Sequence, residues 1–321
     1  MIISASYKTD IPTFYGEWFV RRLRAGFCMM INPYNRKAIR VALDRASVTG
    51  FVFWTKNVHP FLGHLPEVRD RGFPFVVQHT INRYPRALET SVADVERMIQ
   101  AAWSVRDQFG PQALVWRYDT ILDSSLTPVE FHVENFRWLA SRLKGATNEV
   151  VISFAQIYKK TERNLTEAGR ELGFQWRDPG ADEKRQLARR LVEIARESGL
   201  QLTICSQRDL LVEGAGDAKC VDVHRMERVA GATFQARLKG NRKECGCFES
   251  RDIGEYDTCP HGCRYCYAVQ SREVALRRYQ DHDPDSDFLF APTASSSVAP
   301  VAIDDAPQKK SGAVQLRLIK D

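Results

Sequence analysis

Short apolar runs alternate with longer amphipathic stretches along most of this chain. Ile2–Ser6 reads as a buried strand. Thr9-Asp10-Ile11-Pro12 follows, then a helix over about Phe14–Arg24, with Asp10 placed to cap it, Pro12 suited to a first turn and Gly26 as its stop. Phe27–Ile31 is a second apolar run, closed by the turn cluster Asn32-Pro33-Tyr34-Asn35, and a helical pattern covers Lys37–Ala46. Further strands are predicted at Gly50–Trp54, Phe73–His79, Ala113–Trp116, Glu149–Phe154 and Leu202–Cys205. Helices are predicted at Val92–Phe109, Pro128–Leu143 and Ala181–Glu197, the last preceded by a polar loop.

Strands that alternate with helices imply parallel strands joined by helical crossovers, hence an α/β fold. The regular repetition favours a (β/α) TIM-like barrel or partial barrel over an open doubly wound sheet. In barrels the active site gathers at the C-terminal ends of the strands. Polar residues concentrate there: Asp10, Lys56, Asn57, His79, Asn82, Arg117, Asp119, Ser153, Gln156, Gln207 and Arg208. Arg117, Asp119, Ser153, Lys56 and Asn57 are the candidates for cofactor or substrate contacts, chosen by position alone. A buried His79 reads as a hydrogen-bonded core residue. The chain has no Walker loop, no G-x-G-x-x-G after a strand, no G-x-S-x-G and no H-E-x-x-H, which disfavours the enzyme classes that use them.

Composition changes this picture little. The 321 residues carry 44% hydrophobic and 27% charged residues, as a globular protein does. The formal net charge is +6 and the isoelectric point about 8.9. The basic clusters at Arg21, Arg22 and Arg24, at Lys159, Lys160 and Arg163, and at Lys184, Arg185, Arg189 and Arg190 fall in amphipathic stretches and read as solvated faces. No apolar run is long enough to span a bilayer, and no secretory signal is evident at the N-terminus, so a cytoplasmic location without membrane contact is expected.

Cysteine changes it a great deal. Of eight cysteines, five (Cys245, Cys247, Cys259, Cys263 and Cys266) fall within residues 245–266. Cys259-Pro260-His261-Gly262-Cys263-Arg264-Tyr265-Cys266-Tyr267 has the spacing C-x3-C-x2-C, and Gly262 permits the tight turn. Three thiolates on one short loop can hold three irons of a 4Fe–4S cubane and leave the fourth iron open. A structural zinc is the rival, but zinc sites usually repeat C-x2–4-C, which fits less well. A disulfide framework does not suit a chain of this size and location. Cys205, Cys220, Cys245 and Cys247 make a second set of four, enough for a further iron–sulfur cluster or a zinc. Cys28 is left over as core.

The loop resembles that of the radical S-adenosylmethionine enzymes. Several stretches in order extend the resemblance: Ile3-Ser4-Ala5-Ser6-Tyr7 with Thr9-Asp10-Ile11-Pro12, Phe53-Trp54-Thr55-Lys56-Asn57, Trp116-Arg117-Tyr118-Asp119, and Glu244-Cys245-Gly246-Cys247 through Asp252-Ile253-Gly254 to the loop itself. Together they resemble the domain-of-unknown-function family 1848, which is radical-S-adenosylmethionine-like and distantly similar to relatives of spore photoproduct lyase. The resemblance implies a 4Fe–4S cluster on Cys259, Cys263 and Cys266, S-adenosylmethionine on the open iron, a cellular electron donor, and a 5′-deoxyadenosyl radical, with no established substrate. Arg117 would pair with the cofactor carboxylate, and Tyr265 and Tyr267 would pack on the cluster or on adenine. In most such enzymes the cysteine loop follows the first barrel strand. Here it lies near the C-terminus, so a circular permutation is expected, with Phe248–Ile253 beside Ile2–Ser6. The expected organisation is a barrel-like core over residues 1–239, a cysteine-rich segment over 240–290 completing it, a helix from just after Cys266 to about Tyr279, and a tail over 291–321 with an edge strand at Val314–Ile319. The alternative is a non-catalytic iron–sulfur or zinc protein that binds nucleic acid or a protein partner.

Overall fold

A computed structural model describes residues 1–32, 37–240, 244–290 and 302–303. Its strands are β1 (Ile2–Ala5), β2 (Phe27–Ile31), β3 (Ala38–Ala42), β4 (Gly50–Thr55), β5 (Phe75–Thr80), β6 (Leu114–Ile121), β7 (Asp123–Ser124), β8 (Glu149–Phe154), β9 (Trp176–Arg177), β10 (Gln201–Ile204), β11 (Gly216–Asp217), β12 (Ser250–Asp252) and β13 (Ala302–Ile303). Its helices are α1 (Ile11–Phe14), α2 (Gly16–Ala25), α3 (Leu65–Asp70), α4 (Val95–Phe109), α5 (Val129–Leu143), α6 (Lys159–Leu172), α7 (Ala181–Glu197), α8 (Val223–Ala230) and α9 (Arg272–Gln280). Eight strands form one sheet in the order β11-β10-β8-β6-β5-β4-β1-β12. All seven pairings within it are parallel. The fold is therefore α/β, built on one large parallel sheet.

Strand side chains alternate between faces with a period of two. One face is bulky: Phe51 and Phe53 on β4, Phe75 and Val77 on β5, Trp116 and Tyr118 on β6, Val150 and Ile152 on β8. It packs against the helices, where each ring removed from water contributes about 1.5–3 kcal/mol. The other face begins with a layer of Ile2, Val52, Val76, Val115 and Val151, covered by Cys220, Val221, Met226, Cys247 and Phe248 from the chain beyond β11. Two residues further along the same strands, this face turns polar, with Ser4, Trp54, Gln78, Arg117 and Ser153. The alternation thus delivers the site residues to one face.

β12 lies beside β1, as expected for the Phe248–Ile253 segment, with Ser4 opposite Asp252. The Asp252 carboxylate fastens the join. It accepts hydrogen bonds from Ser4 Oγ (3.0 Å), Ser6 Oγ (2.7 Å), the Tyr7 amide (2.9 Å) and the Gly254 amide (2.9 Å).

The structure corrects several expectations. Lys37–Ala46 is not helical: Ala38–Ala42 is a strand, antiparallel to Phe27–Ile31. Ile39 and Val41 suit a pleated surface better than a helix, and the exposed Arg40 lays its guanidinium 4.2 Å from the Phe27 ring. The helix expected at Phe14–Arg24 is two helices broken at Tyr15, whose φ of −129° is not helical. The polar loop before Ala181 contains α6, whose buried face is only Thr161, Leu165 and Ala168. α8 was not expected, and α9 begins at Arg272, not directly after Cys266. Residues 33–35 of the turn cluster that begins at Asn32, and the strand at Val314–Ile319, lie outside the described residues. Among the described residues no helix is long and apolar enough to cross a membrane.

Gly254 lies against β1, and a Cβ there would come 2.1 Å from Ser6 Oγ and 2.5 Å from Ser6 Cβ. Gly254→Ala is expected to cost about 1–3 kcal/mol by forcing β12 away from β1. Gly63→Ala, where a Cβ meets nothing within 4 Å, should be neutral. Urea denaturation of the two variants compares them.

Candidate functional site

The cysteine loop leaves the C-terminal end of β12 and is strapped to the segment after β5. Ser91 donates its amide to His261 O (2.8 Å), Arg264 donates to Leu88 O (3.0 Å), and Glu89 bridges Cys263. Gly262 takes φ +72°, and a Cβ there would meet the Arg272 side chain at 2.7 Å. The Cys266 amide donates to Cys263 O (3.1 Å), tightening the turn between the second and third cysteines. The Ala268 amide donates to Cys266 Sγ at 3.3 Å, a hydrogen bond of the kind that supports a metal-bound thiolate.

The other end of the loop is locked by Asp10 and His261. The Asp10 carboxylate accepts from His261 Nε2 (2.7 Å), from the Lys56 amide (2.8 Å) and, as the cap of α1, from the Thr13 amide (2.9 Å). Burial alone would raise its pKa, but these donors outweigh burial and leave it below the ordinary carboxylate value. His261 was not anticipated as a site residue, although it stands inside the C-x3-C spacing.

Cys259, Cys263 and Cys266 line one cleft of about 430 Å³, together with Arg163 and Glu167 of α6 and Arg272 of α9. Burial pushes all three thiols up, and Cys259 is raised further by Asp10 and by the other two. They are therefore protonated in the metal-free chain, and a metal must displace protons to bind. Among the described residues no three His, Cys, Asp or Glu side chains stand where a single ion would touch all of them. A cubane spreads its thiolates over separate irons, so a shared point is not what these three need. The three-thiol loop, its positive-φ turn and its N–H···S bond fit such a cluster.

Beneath the loop lies a buried polar network. Lys56 Nζ stands 2.7 Å from Glu89 Oε1 and 3.2 Å from the Tyr265 hydroxyl. The Tyr265 hydroxyl also donates to Glu89. Asn82 Nδ2 reaches Tyr265 (3.2 Å), Glu89 (3.3 Å) and Asp119 O (3.1 Å). Burial pulls the Lys56 pKa down, but Glu89 and Cys263 outweigh it and push it up to about 12, so the ammonium stays charged.

The candidates from the sequence separate into groups. Lys56 and Tyr265 meet under the loop. Asp119 and Ser153 sit opposite each other on β6 and β8 and are hydrogen-bonded. Asn82 connects that pair to Tyr265. Asn57 serves its own turn, its Oδ1 accepting from the His59 amide at 3.3 Å. Arg117 does not face the loop. Its guanidinium pairs with Asp119 (2.6 Å), donates to Cys220 Sγ (3.0 Å) and lies 5.1 Å from the Trp54 ring centre. Tyr267 is half exposed and donates to Tyr7 O at 2.6 Å. Glu89 was missed, and no periodicity or motif marks it. His79 is a correction: it is fully buried, yet neither ring nitrogen has a hydrogen-bond partner among the described residues. Cys28 is core, its thiol pushed up to about 12 by burial.

A family model described as a domain of unknown function (DUF1848) matches residues 2–268. The chain belongs to this family. The DUF1848 match spans every strand of the large sheet and closes just after Tyr267, so it includes all three loop cysteines. Comparison with curated proteins and with solved structures finds no significant match to either.

Glu89→Leu would leave the Lys56 ammonium buried without its carboxylate, at an expected cost of about 3–5 kcal/mol in urea denaturation. Adding Lys56→Met should recover much of that loss. Burial lowers the His79 pKa from 6.5 to about 4, with Asp10 only partly offsetting it. The unfolded chain therefore takes up this proton first, and the stability from neutral His79 is full above pH 6.5 and lost as pH falls towards 4. His79→Phe should reduce the acid slope of metal-free stability, leaving the part due to His132, which burial likewise lowers to about 4.

Proposed function

We propose that this DUF1848 protein is a radical S-adenosylmethionine-type iron–sulfur enzyme in which Cys259, Cys263 and Cys266 hold a 4Fe–4S cluster. The observation that carries the proposal is the convergence of those three cysteines on one cleft at the end of a parallel strand. The strand order supports it. Read from β12, the sheet runs β12, β1, β4, β5, β6, β8, β10, β11, which is chain order with the last strand moved to the front. That is the order a circularly permuted partial (β/α) barrel would have, with its cysteine loop after the first strand. The cleft of about 430 Å³ falls within the roughly 300–1,000 Å³ usual for small-molecule sites.

Such a cluster, when bound, supplies the electron that cleaves the S-adenosylmethionine sulfonium to a 5′-deoxyadenosyl radical, for hydrogen abstraction from an unactivated carbon. The chain's own residues do the rest. Lys56 places a buried cation close to Cys263. Glu89, Asn82 and Tyr265 hold that cation in position and fill the space beneath the loop. Arg163 and Arg272, which line the cleft, are better placed than Arg117 to meet a carboxylate there, because Arg117 is engaged by Asp119 and Cys220. A cellular electron donor is the implied partner.

The rival reading, a non-catalytic metalloprotein that binds nucleic acid or a protein partner, draws on the net charge of +6. Much of that basic surface is paired within the molecule: Arg21 with Asp285, Arg22 with Asp287, Arg24 with Glu67, Lys184 with Asp178, and Arg190 with Glu130. No free basic stripe results from these residues.

The test is anaerobic reconstitution, followed by S-adenosylmethionine and dithionite. The expected result is about four irons per chain on this loop and 5′-deoxyadenosine as product, both lost in Cys263→Ala. A chain that takes up the irons yet forms no more 5′-deoxyadenosine than Cys263→Ala would not be such an enzyme.

A further inference from the structure

A second group of thiols gathers on the valine-layered face of the sheet, away from the loop. Cys205 ends β10, Cys220 follows β11, and Cys245 and Cys247 arrive from the segment after α8. Cys205 Sγ and Cys220 Sγ are 3.4 Å apart, Cys220 is in contact with Cys247, and Cys247 with Cys245. None of the four is in a disulfide, and Cys205, Cys220 and Cys247 are buried. Two donors point at the sulfurs. Arg117 donates to Cys220 Sγ at 3.0 Å, and the Val221 amide donates to Cys247 Sγ at 3.4 Å. The guanidinium is held by Asp119 and Gln78, and its Nη1 is turned to the Cys220 sulfur as well. It is well placed beside a metal-bound thiolate, whose negative charge it offsets.

We propose that Cys205, Cys220, Cys245 and Cys247 bind one zinc ion as a structural tetrathiolate site. Spacing favours ligands on a single ion over a cubane. A tetrahedral zinc with Zn–S of about 2.3 Å brings its sulfurs to about 3.8 Å from one another, close to the Cys205–Cys220 contact. A cubane holds its ligands on separate irons, much further apart. The thiols now form a chain of contacts and do not yet surround one point. A χ1 rotation carries a cysteine sulfur by up to about 3 Å, enough to close a tetrahedron once the protons leave. The need is structural. Between α8 and β12 the described chain forms no helix or named strand, and it carries Cys245, Cys247 and Phe248 onto the sheet. A zinc would staple that irregular segment to β10. The inference does not depend on the chemistry proposed for the loop.

The test is metal analysis of the full chain purified without oxygen from medium supplying both zinc and iron. About one zinc per chain is expected, kept in Cys263→Ala and lost in Cys220→Ser and Cys247→Ser. The same two variants should keep their iron and lose thermal stability. Zinc retained in Cys247→Ser, or zinc replaced by iron beyond the four of the loop, overturns the site. Should those variants not fold, cobalt substitution of the Cys263→Ala chain decides: tetrahedral tetrathiolate absorption supports the site, and its absence overturns it.

Discussion

A single buried carboxylate, that of Asp252, anchors the strand from which the cysteine loop departs. It joins β12 to β1 by accepting from the Ser4 hydroxyl on the first strand, from the Ser6 hydroxyl just beyond it and from two backbone amides. Lys8 adds a cation 3.4 Å away. Each donor is desolvated, so the bonds are worth most as a set and a missing one would leave a buried polar group unmet. Because β12 is short, side chains and not ladder length hold it in register. The cysteine loop inherits its position from that register, and Asp10 through His261 fixes the far end.

The two cysteine groups are not independent neighbours. From Cys220 the polar contacts run to Arg117, to Asp119, to Asn82 and on to Tyr265 inside the loop. Arg117 and Asp119 share one face of β6 because they are two residues apart, and Asn82 reaches Asp119 from beyond the end of β5. The layer of small β-branched residues beneath leaves room for this network, while the aromatic face opposite is filled by helices. The two faces of the sheet are thus divided between aromatic packing and a polar network.

Much of this was legible in the order of residues. Apolar runs of β-branched and aromatic residues located six strands of the large sheet, because buried parallel strands are written as such runs. The loop cysteines stood out by spacing. β3 was misread since Lys37–Ala46 satisfies a helical period as well as an alternating one, and only pairing with Phe27–Ile31 decides between them. α6 was missed because so few of its residues are apolar: Thr161, Leu165 and Ala168 share one face, but the stretch around them is polar enough to read as a loop. Arg117 was placed at the correct end of the correct strand, but its contact with Cys220, 103 residues away, leaves no trace in local sequence. Glu89 and His261 depend wholly on the path of the loop over the segment after β5, which no local pattern records.

The side-by-side placement of the first and last strands of the sheet has a consequence for how the chain is made. β1 leaves a translating ribosome some 248 residues before β12. Until then one edge of β1 lacks its neighbour, and local pairing cannot supply it. The cysteine loop is drawn into place only after the rest of the sheet exists to receive it. Nascent chains that stall before residue 252 therefore expose an open strand edge and carry none of the three loop thiols.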